Sequence, residues 1–175
     1  MWGMVLSAAV TAAVLSGCAA DDGSGEGPGA AATTESVDLE ERRAERAEAR
    51  ARQAAADCQR GLQKLTGELR DVDSRLSVGL TQDDYNSALG DVRVAYDTAP
   101  FKRLDRPCLL KVGVPLESAF QKYLNANEDW ADCINNYGCN VDQDVLPGMR
   151  KDWAEATRLI RRSQQGLVAI RTPPS

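Results

Sequence analysis

The chain has 175 residues, of which 43% are hydrophobic and 27% are charged, so it is long enough for one domain with a buried core. Its formal net charge of -5 argues against nucleic acid or anionic lipid as the main partner. It contains no histidine, which excludes Ser-His-Asp and Cys-His catalytic systems and histidine-based metal sites.

The N-terminal residues follow the pattern of a signal peptide. The apolar run from Met4 to Leu15 has about twelve residues, too few to cross roughly 30 Å of hydrocarbon but suitable for a signal peptide. It ends in Leu15-Ser16-Gly17-Cys18, which resembles the lipobox of bacterial lipoproteins. This resemblance implies cleavage between Gly17 and Cys18 and attachment of fatty acyl chains such as palmitate to Cys18.

Removal of a lipoprotein signal peptide over residues 1–17 leaves a protein anchored to the lipid bilayer through acylated Cys18, on the extracytoplasmic side of the cell membrane. Two acyl chains are enough for stable anchoring. Signal peptides usually begin with Lys or Arg, whereas no positive side chain precedes this apolar run. The departure indicates a misplaced start codon or a truncation. The alternatives to a lipoprotein signal are an ordinary secretory signal and a buried apolar helix.

A glycine-rich segment follows, with almost no apolar side chains between Asp21 and Thr34. Such a segment cannot bury enough apolar surface to offset the entropy of ordering it. We therefore predict a flexible tether over residues 18–37, with an end-to-end distance of roughly 20 to 25 Å. The helical domain is expected to span residues 38–171, ahead of a disordered tail at 172–175.

A long first helix is predicted from Asp38. Residues 38–56 consist almost entirely of Ala, Glu, Arg and Gln, which have high helix propensity. The stretch that follows carries one apolar seam at spacings of three and four residues, which predicts packing against other helices. We expect the two stretches to form one helix. The seam consists of Cys58, Leu62, Leu65, Leu69, Val72 and Leu76.

The N-terminal half of this helix carries only small residues on its apolar stripe, at Ala44, Ala47, Ala51 and Ala54. About 19 residues at 1.5 Å each make a spacer of roughly 30 Å. The simplest interpretation is a solvated stalk. The alternative is a partner surface, on which small side chains let another helix pack closely, from a second copy of the chain or from another envelope protein.

A second helix is predicted to begin after Thr81, which lies three residues before Asp84 and resembles a capping box. Pro100 ends it. The connection from Pro100 to Pro115 is apolar and bounded by proline, so we expect it to pack over the bundle, held by Cys108, rather than form a long helix. The expected core face of the second helix is Tyr85, Ala88, Leu89, Val92 and Tyr96.

A third helix is predicted from Pro115 to about Tyr137, where Gly138 stops it, and a fourth from near Pro147. Four amphipathic helices favour an all-α, antiparallel helical bundle. The expected core faces are Leu116, Ala119, Phe120, Tyr123, Ala126 or Asn127, Trp130, Ile134 and Tyr137 in the third helix, and Met149, Trp153, Ala156, Ile160, Leu167 and Ile170 in the fourth.

Four cysteines remain after Cys18, an even number that is typical of disulfide-bonded exported proteins. Of the three possible connectivities, we favour Cys58 with Cys108 and Cys133 with Cys139. A zinc site is the alternative, but the chain lacks CxxC spacing as well as histidine.

Paired carboxylates are the main remaining route to catalysis. Asp83, Asp84, Asp129 and Asp132 could divide acid and base roles if their environments separated their pKa values. They lie at helix starts or on polar faces, where capping and solvation explain them better. We therefore expect no catalytic residue.

The run from Asn140 to Asp144 has oxygen-bearing side chains at alternating positions, as a calcium loop does. Val145 and Lys151 then occupy the positions at which an EF-hand has glycine and glutamate. We interpret the run as the polar turn that leads into the fourth helix, where negative charge suits a helix N-terminus. No metal or cofactor is predicted.

The layout resembles the small secreted lipoproteins of high-GC Gram-positive bacteria. The likeness rests on the Ala- and Arg-rich composition, the tether, and the run Trp130-Ala131-Asp132-Cys133 with its later cysteine. It implies the location and the disulfides but no activity. We predict a non-catalytic envelope protein that binds another protein, itself or a cell-wall component. The alternative is a small-ligand binder with a cavity between the third and fourth helices, lined by Trp130, Tyr137 and Trp153.

Overall fold

Four helices make up most of residues 31–172, the part of the chain that the computed structural model describes, with side chains from residue 38. Consecutive helices reverse direction and pack together, and the fourth also packs on the first. No strand occurs in this range, so the predicted all-α, disulfide-stapled bundle is confirmed. Gly17 and Cys18 lie outside the described residues. The helices are α1 (Ala31–Val78), α2 (Gln82–Thr98), α3 (Val114–Ile134) and α4 (Leu146–Arg171).

Helix α1 begins at Ala31, seven residues before its predicted start at Asp38. Residues 31–37, which were predicted to belong to the tether, are thus part of the helix. They include Ala and Glu, which have high helix propensity. At 1.5 Å per residue, the 48 residues of α1 extend roughly 70 Å. The favourable pair expected from spacing alone, Glu48 with Arg52, is present at 3.6 Å.

The core is built around the predicted seam of α1. Its members from Cys58 to Val72 are at most 1% exposed, and Leu76 packs against the core from its edge. Tyr85 and Tyr123 are the largest fully buried side chains and face the seam from α2 and α3. The faces predicted for α2 and α4 are buried or half-buried as expected.

The predicted cap of α2 is also present. The hydroxyl of Thr81 accepts a hydrogen bond from the backbone N–H of Asp84 at 3.2 Å and donates to the carboxylate of Asp84 at 2.6 Å. The carboxylate thus meets the threonine side chain instead of the backbone N–H that a full capping box uses.

The prediction that the third helix begins at Pro115 is wrong. Helical conformation starts at Arg106 and passes through the π-helical segment Leu109–Gly113 into α3. Within this segment, the N–H of Val114 bonds to the carbonyl of Leu109, five residues earlier. This wider turn accommodates a proline inside a continuous helix, because the hydrogen-bond ladder is already interrupted where the proline N–H is missing.

The hydrogen bond that Pro115 cannot make also lets α4 pack closely against the segment that precedes α3. Pro115 has no N–H to donate to the carbonyl of Lys111, four residues earlier, and this carbonyl faces Gly166 of α4. A Cβ atom at position 166 would overlap the Lys111 oxygen and lie 2.8 Å from the carbonyl carbon. Only glycine therefore permits this contact between the two backbones.

Helix α3 ends at Ile134, three residues before the predicted end, and a turn follows in which Gly138 has a φ of 99°. Ile134 and Tyr137, which were predicted to lie on the core face, are exposed. The reason is that the helix stops before Tyr137 and the turn bonded by Cys133 carries the chain outward.

The two disulfides join Cys58 to Cys108 and Cys133 to Cys139, with Cα–Cα distances of 5.6 and 5.4 Å. These are the pairs that the sequence favoured. The first closes a loop with a sequence separation of 50, which corresponds to about 4 kcal/mol of loop-closure entropy. It ties α1 to the segment that precedes α3.

The close contact at Gly166 predicts opposite effects of two glycine substitutions. Gly166→Ala forces the backbones of α4 and Lys111 apart and should lower the free energy of unfolding by about 1 to 3 kcal/mol. Gly90→Ala, in the exposed part of α2 with no atom near its Cβ, should raise it by about 0.5 to 1 kcal/mol. Urea denaturation measures both. Equal stabilisation by the two alanines would contradict the contact.

Candidate functional site

Helix α1 projects beyond the bundle at its N-terminal end. Every side chain from Asp38 to Arg50 is exposed, whereas Ala55 and Cys58 are buried. The end of α4 reaches only to the level of Glu48, with which it borders a cleft. Residues 31–47, which we call the overhang, therefore extend roughly 25 Å past the bundle.

The predicted partner surface is divided between the overhang and the bundle. Ala44 and Ala47 are exposed, whereas Ala51 and Ala54 are half-buried and Ala54 packs against the core. The four alanines continue the spacing that leads to Cys58 and the rest of the seam. The face that α1 buries inside the bundle thus runs on, in the overhang, with no described residue packed on it.

A polar network inside the bundle connects all four helices. Tyr85 donates a hydrogen bond to the backbone carbonyl of Tyr123 at 2.9 Å and accepts one from the indole nitrogen of Trp153 at 3.0 Å. One oxygen of Asp73 accepts from the hydroxyl of Thr157 and lies 3.4 Å from the hydroxyl of Tyr123. Sequence analysis missed this network, since its hydrogen-bonded partners are separated by 38 to 84 residues and have no common motif.

Burial raises the pKa of the Tyr85 and Tyr123 phenols well above the ordinary value of 10.0. For Tyr123, the negative charge of Asp73 raises the pKa further. Both phenols are therefore protonated at neutral pH and act as hydrogen-bond donors. The network fixes the register of the helices.

The three aromatic residues predicted to line a cavity do not share one. Trp130 and Trp153 each pack 6.0 Å from Tyr85, ring centre to ring centre, whereas Tyr137 is fully exposed. A cleft of about 410 Å³ lies instead between α1 and α4. Its floor includes Leu62 and Leu167, and its rim is formed mainly by polar side chains.

The acidic residues considered as catalytic or calcium-binding serve local structure or lie exposed. Asp84 belongs to the cap of α2, and Asp129 and Asp132 are exposed. Asn140 caps the π-helical segment Val141–Val145 ahead of α4, and the carboxylate of Asp144 accepts from its backbone N–H at 2.7 Å. Within the described residues, no group of three or more Cys, Asp or Glu side chains is arranged to hold a metal ion.

Sequence analysis also missed a row of cations on α4. Arg150, Lys151, Arg158, Arg161 and Arg162 are all exposed on the outer side of this helix. The spacing of these residues already placed them on one side of a helix. The net charge of the whole chain gave no sign of this local basic surface, because it sums all residues. Four of the acids behind that net charge precede residue 38 in the sequence: Asp21, Asp22, Glu26 and Glu35.

Comparison with known proteins adds no assignment. No family model matches the chain, and no curated protein or solved structure is significantly similar to it. Between residues 31 and 172, none of the helices combines the length and the apolar character needed to cross a membrane. Function must therefore be argued from the surfaces of the bundle.

The raised pKa values of Tyr85 and Tyr123 predict a loss of stability at high pH. Because their pKa is raised in the folded state, the folded protein holds these protons above pH 10, where the unfolded chain releases them. The stability that these two phenols contribute should be constant below that pH and fall above it, and the part of the tyrosinate absorbance that is lost in Tyr85→Phe should rise together with unfolding. In Tyr85→Phe, the fall above pH 10 should be shallower. Ionisation of both phenols without any loss of helicity would contradict the buried network.

Proposed function

We propose that this protein is a lipoprotein, anchored to the cell membrane through acylated Cys18, whose non-catalytic bundle binds a partner on the extracytoplasmic side through α1. The observation that carries the proposal is the uncovered continuation of the core seam into the overhang. A helical face that is buried along one half and exposed along the other suits a partner helix that extends the bundle.

The anchoring part of the proposal is supported by three features of the chain. Leu15-Ser16-Gly17-Cys18 matches the lipobox at each position, and a glycine-rich segment separates it from α1. The remaining four cysteines form two disulfides, which persist in oxidising compartments outside the cytoplasm. An exported, membrane-anchored domain accounts for all three.

Charges beside the alanine stripe favour a helix of another envelope protein as the partner. Arg43 and Arg50 flank the stripe on one side, and Glu41 and Glu48 flank it on the other. A parallel second copy of the chain does not fit, because the same face of α1 is covered by its own bundle from Ala55 onward and the two bundles would collide. An antiparallel second copy brings like charges together. A partner helix with acidic residues opposite the arginines and basic residues opposite the glutamates avoids both problems.

The small-ligand alternative has less support. The tryptophans expected to line its cavity are packed around Tyr85, and Tyr137 lies apart from them in solvent. The cleft between α1 and α4 is open and has no unpartnered buried polar group to orient a ligand.

Anchoring is tested by Cys18→Ser expressed in a bacterium that acylates lipoproteins. The wild-type protein should sediment with membranes and carry the mass of its acyl chains, whereas the serine variant should lack both acylation and cleavage after Gly17. Mass spectrometry and fractionation in high salt and carbonate distinguish these forms. A wild-type protein of unmodified mass would overturn the lipoprotein assignment.

The partner surface is tested with two exposed alanines near the end of the overhang, which lie on opposite sides of α1. Ala47→Glu places a charge in the stripe and should lower the yield of crosslinked chains in native membranes by at least about tenfold. Ala49→Glu, on the opposite and equally exposed side of α1, should leave the yield unchanged. Equal effects of the two variants would contradict a specific surface. Mass spectrometry of the crosslinked product would identify the partner, and a product that contains only two copies of the chain would contradict the charge argument.

A further inference from the structure

The outer side of α4 is a continuous cationic surface. Arg150, Lys151, Arg158, Arg161 and Arg162, which we call the basic face, are exposed over about three turns of one helix. Ala154 lies among them and is also exposed. No carboxylate of α4 lies on this side without a cation paired to it.

The two acids of α4 are already paired. Asp152 binds Lys122 of α3 at 2.9 Å, and Glu155 pairs with Arg158. Among residues 38–172, the other four cations of the basic face have no ion-pair partner. Their charge is therefore available to a ligand.

The opposite part of the bundle is acidic. Helix α2 packs on α1 and α3 and lies diagonally across the core from α4. It carries four acids and one cation, which is paired with Asp97. The basic face and this acidic side give the bundle opposite charges on opposite sides, which orients it toward a negatively charged surface.

Apolar side chains accompany the cations. Leu110 is 57% exposed and borders a shallow cleft together with Lys111 and Arg162, and Val168 of α4 is 62% exposed. Cations beside exposed aliphatic side chains are typical of helices that lie in the interface of an anionic bilayer. A shallow surface that carries both cations and aliphatic side chains is better suited to a lipid bilayer than to a small ligand that needs a deep pocket.

We propose that the basic face of α4 binds the anionic lipid surface of the membrane to which the protein is anchored, so that the bundle lies on its side. This inference rests on the proposed function only for the anchor, which keeps α4 within reach of the bilayer. Because α1 and α4 run side by side, the overhang then lies along the membrane, and the acidic side with α2 faces away from it.

The orientation can be measured on the intact lipidated protein. A small environment-sensitive fluorescent amino acid is placed at Ala154 in the basic face or, as a matched exposed position across the bundle, at Ser87 of α2. The protein is added to vesicles that contain brominated lipids, which quench only nearby probes. Vesicles of phosphatidylcholine with phosphatidylglycerol are compared with vesicles of phosphatidylcholine alone.

Binding through the basic face should quench the probe at Ala154 only in the anionic vesicles and leave the probe at Ser87 unquenched. Raising NaCl from about 0.05 to about 0.5 M should relieve the quenching, because salt screens exposed charges. The double variant Arg161→Glu with Arg162→Glu should lower the equilibrium constant for binding of the basic face to the anionic vesicle surface by at least about 25-fold. Each lost cation accounts for about a fivefold decrease. Lys102→Glu with Arg103→Glu, which changes the net charge equally in the exposed turn that follows α2, should have less than about a twofold effect.

Two results would overturn the inference: no quenching at Ala154 in anionic vesicles, or equal quenching at both positions. Failure of the anchor is seen separately, because an unacylated protein no longer floats with vesicles in high salt. The probe at Ala154 still reports contact with anionic vesicles in that case.

Discussion

The hydrogen bonds of Tyr85 are the contacts on which the arrangement of the four helices depends. Its hydroxyl lies among α2, α3 and α4, and Asp73 extends the network to α1. A buried hydroxyl must be hydrogen-bonded, so a shift of any helix along its axis would leave polar groups unpaired at a cost of about 1 to 3 kcal/mol each. Apolar packing alone tolerates such shifts more easily. The network therefore selects one register.

That register determines which surfaces stay uncovered. It places the end of α4 near Glu48 of α1 and leaves the overhang exposed. It also turns the basic face outward along the length of the bundle. The two proposed contacts are compatible, because a bundle lying on its side holds the overhang parallel to the bilayer, where a partner helix can reach the alanine stripe.

Most of the candidate interaction surface was predictable from the sequence, but its extent was not. The alanine stripe follows from residue spacing, whereas the half-burial of Ala51 and Ala54 depends on where the other helices end. The start of the third helix was predicted wrongly from Pro115. Proline is typical of the first turn of a helix, but here a π-helical turn accommodates its missing N–H within a continuous helix. The basic face was overlooked since the net charge sums residues that the fold separates.

The sequence by itself determined the properties that depend on near neighbours. Helical faces, the Thr81 cap and the seam from Cys58 follow from spacings of three and four residues, and the even number of cysteines indicated disulfides. Only the tertiary structure decided the Gly166 contact with Lys111, the network of Tyr85 and the separation of charge between α4 and α2. These features depend on residues far apart in the chain, and a local pattern contains no information about which of them meet.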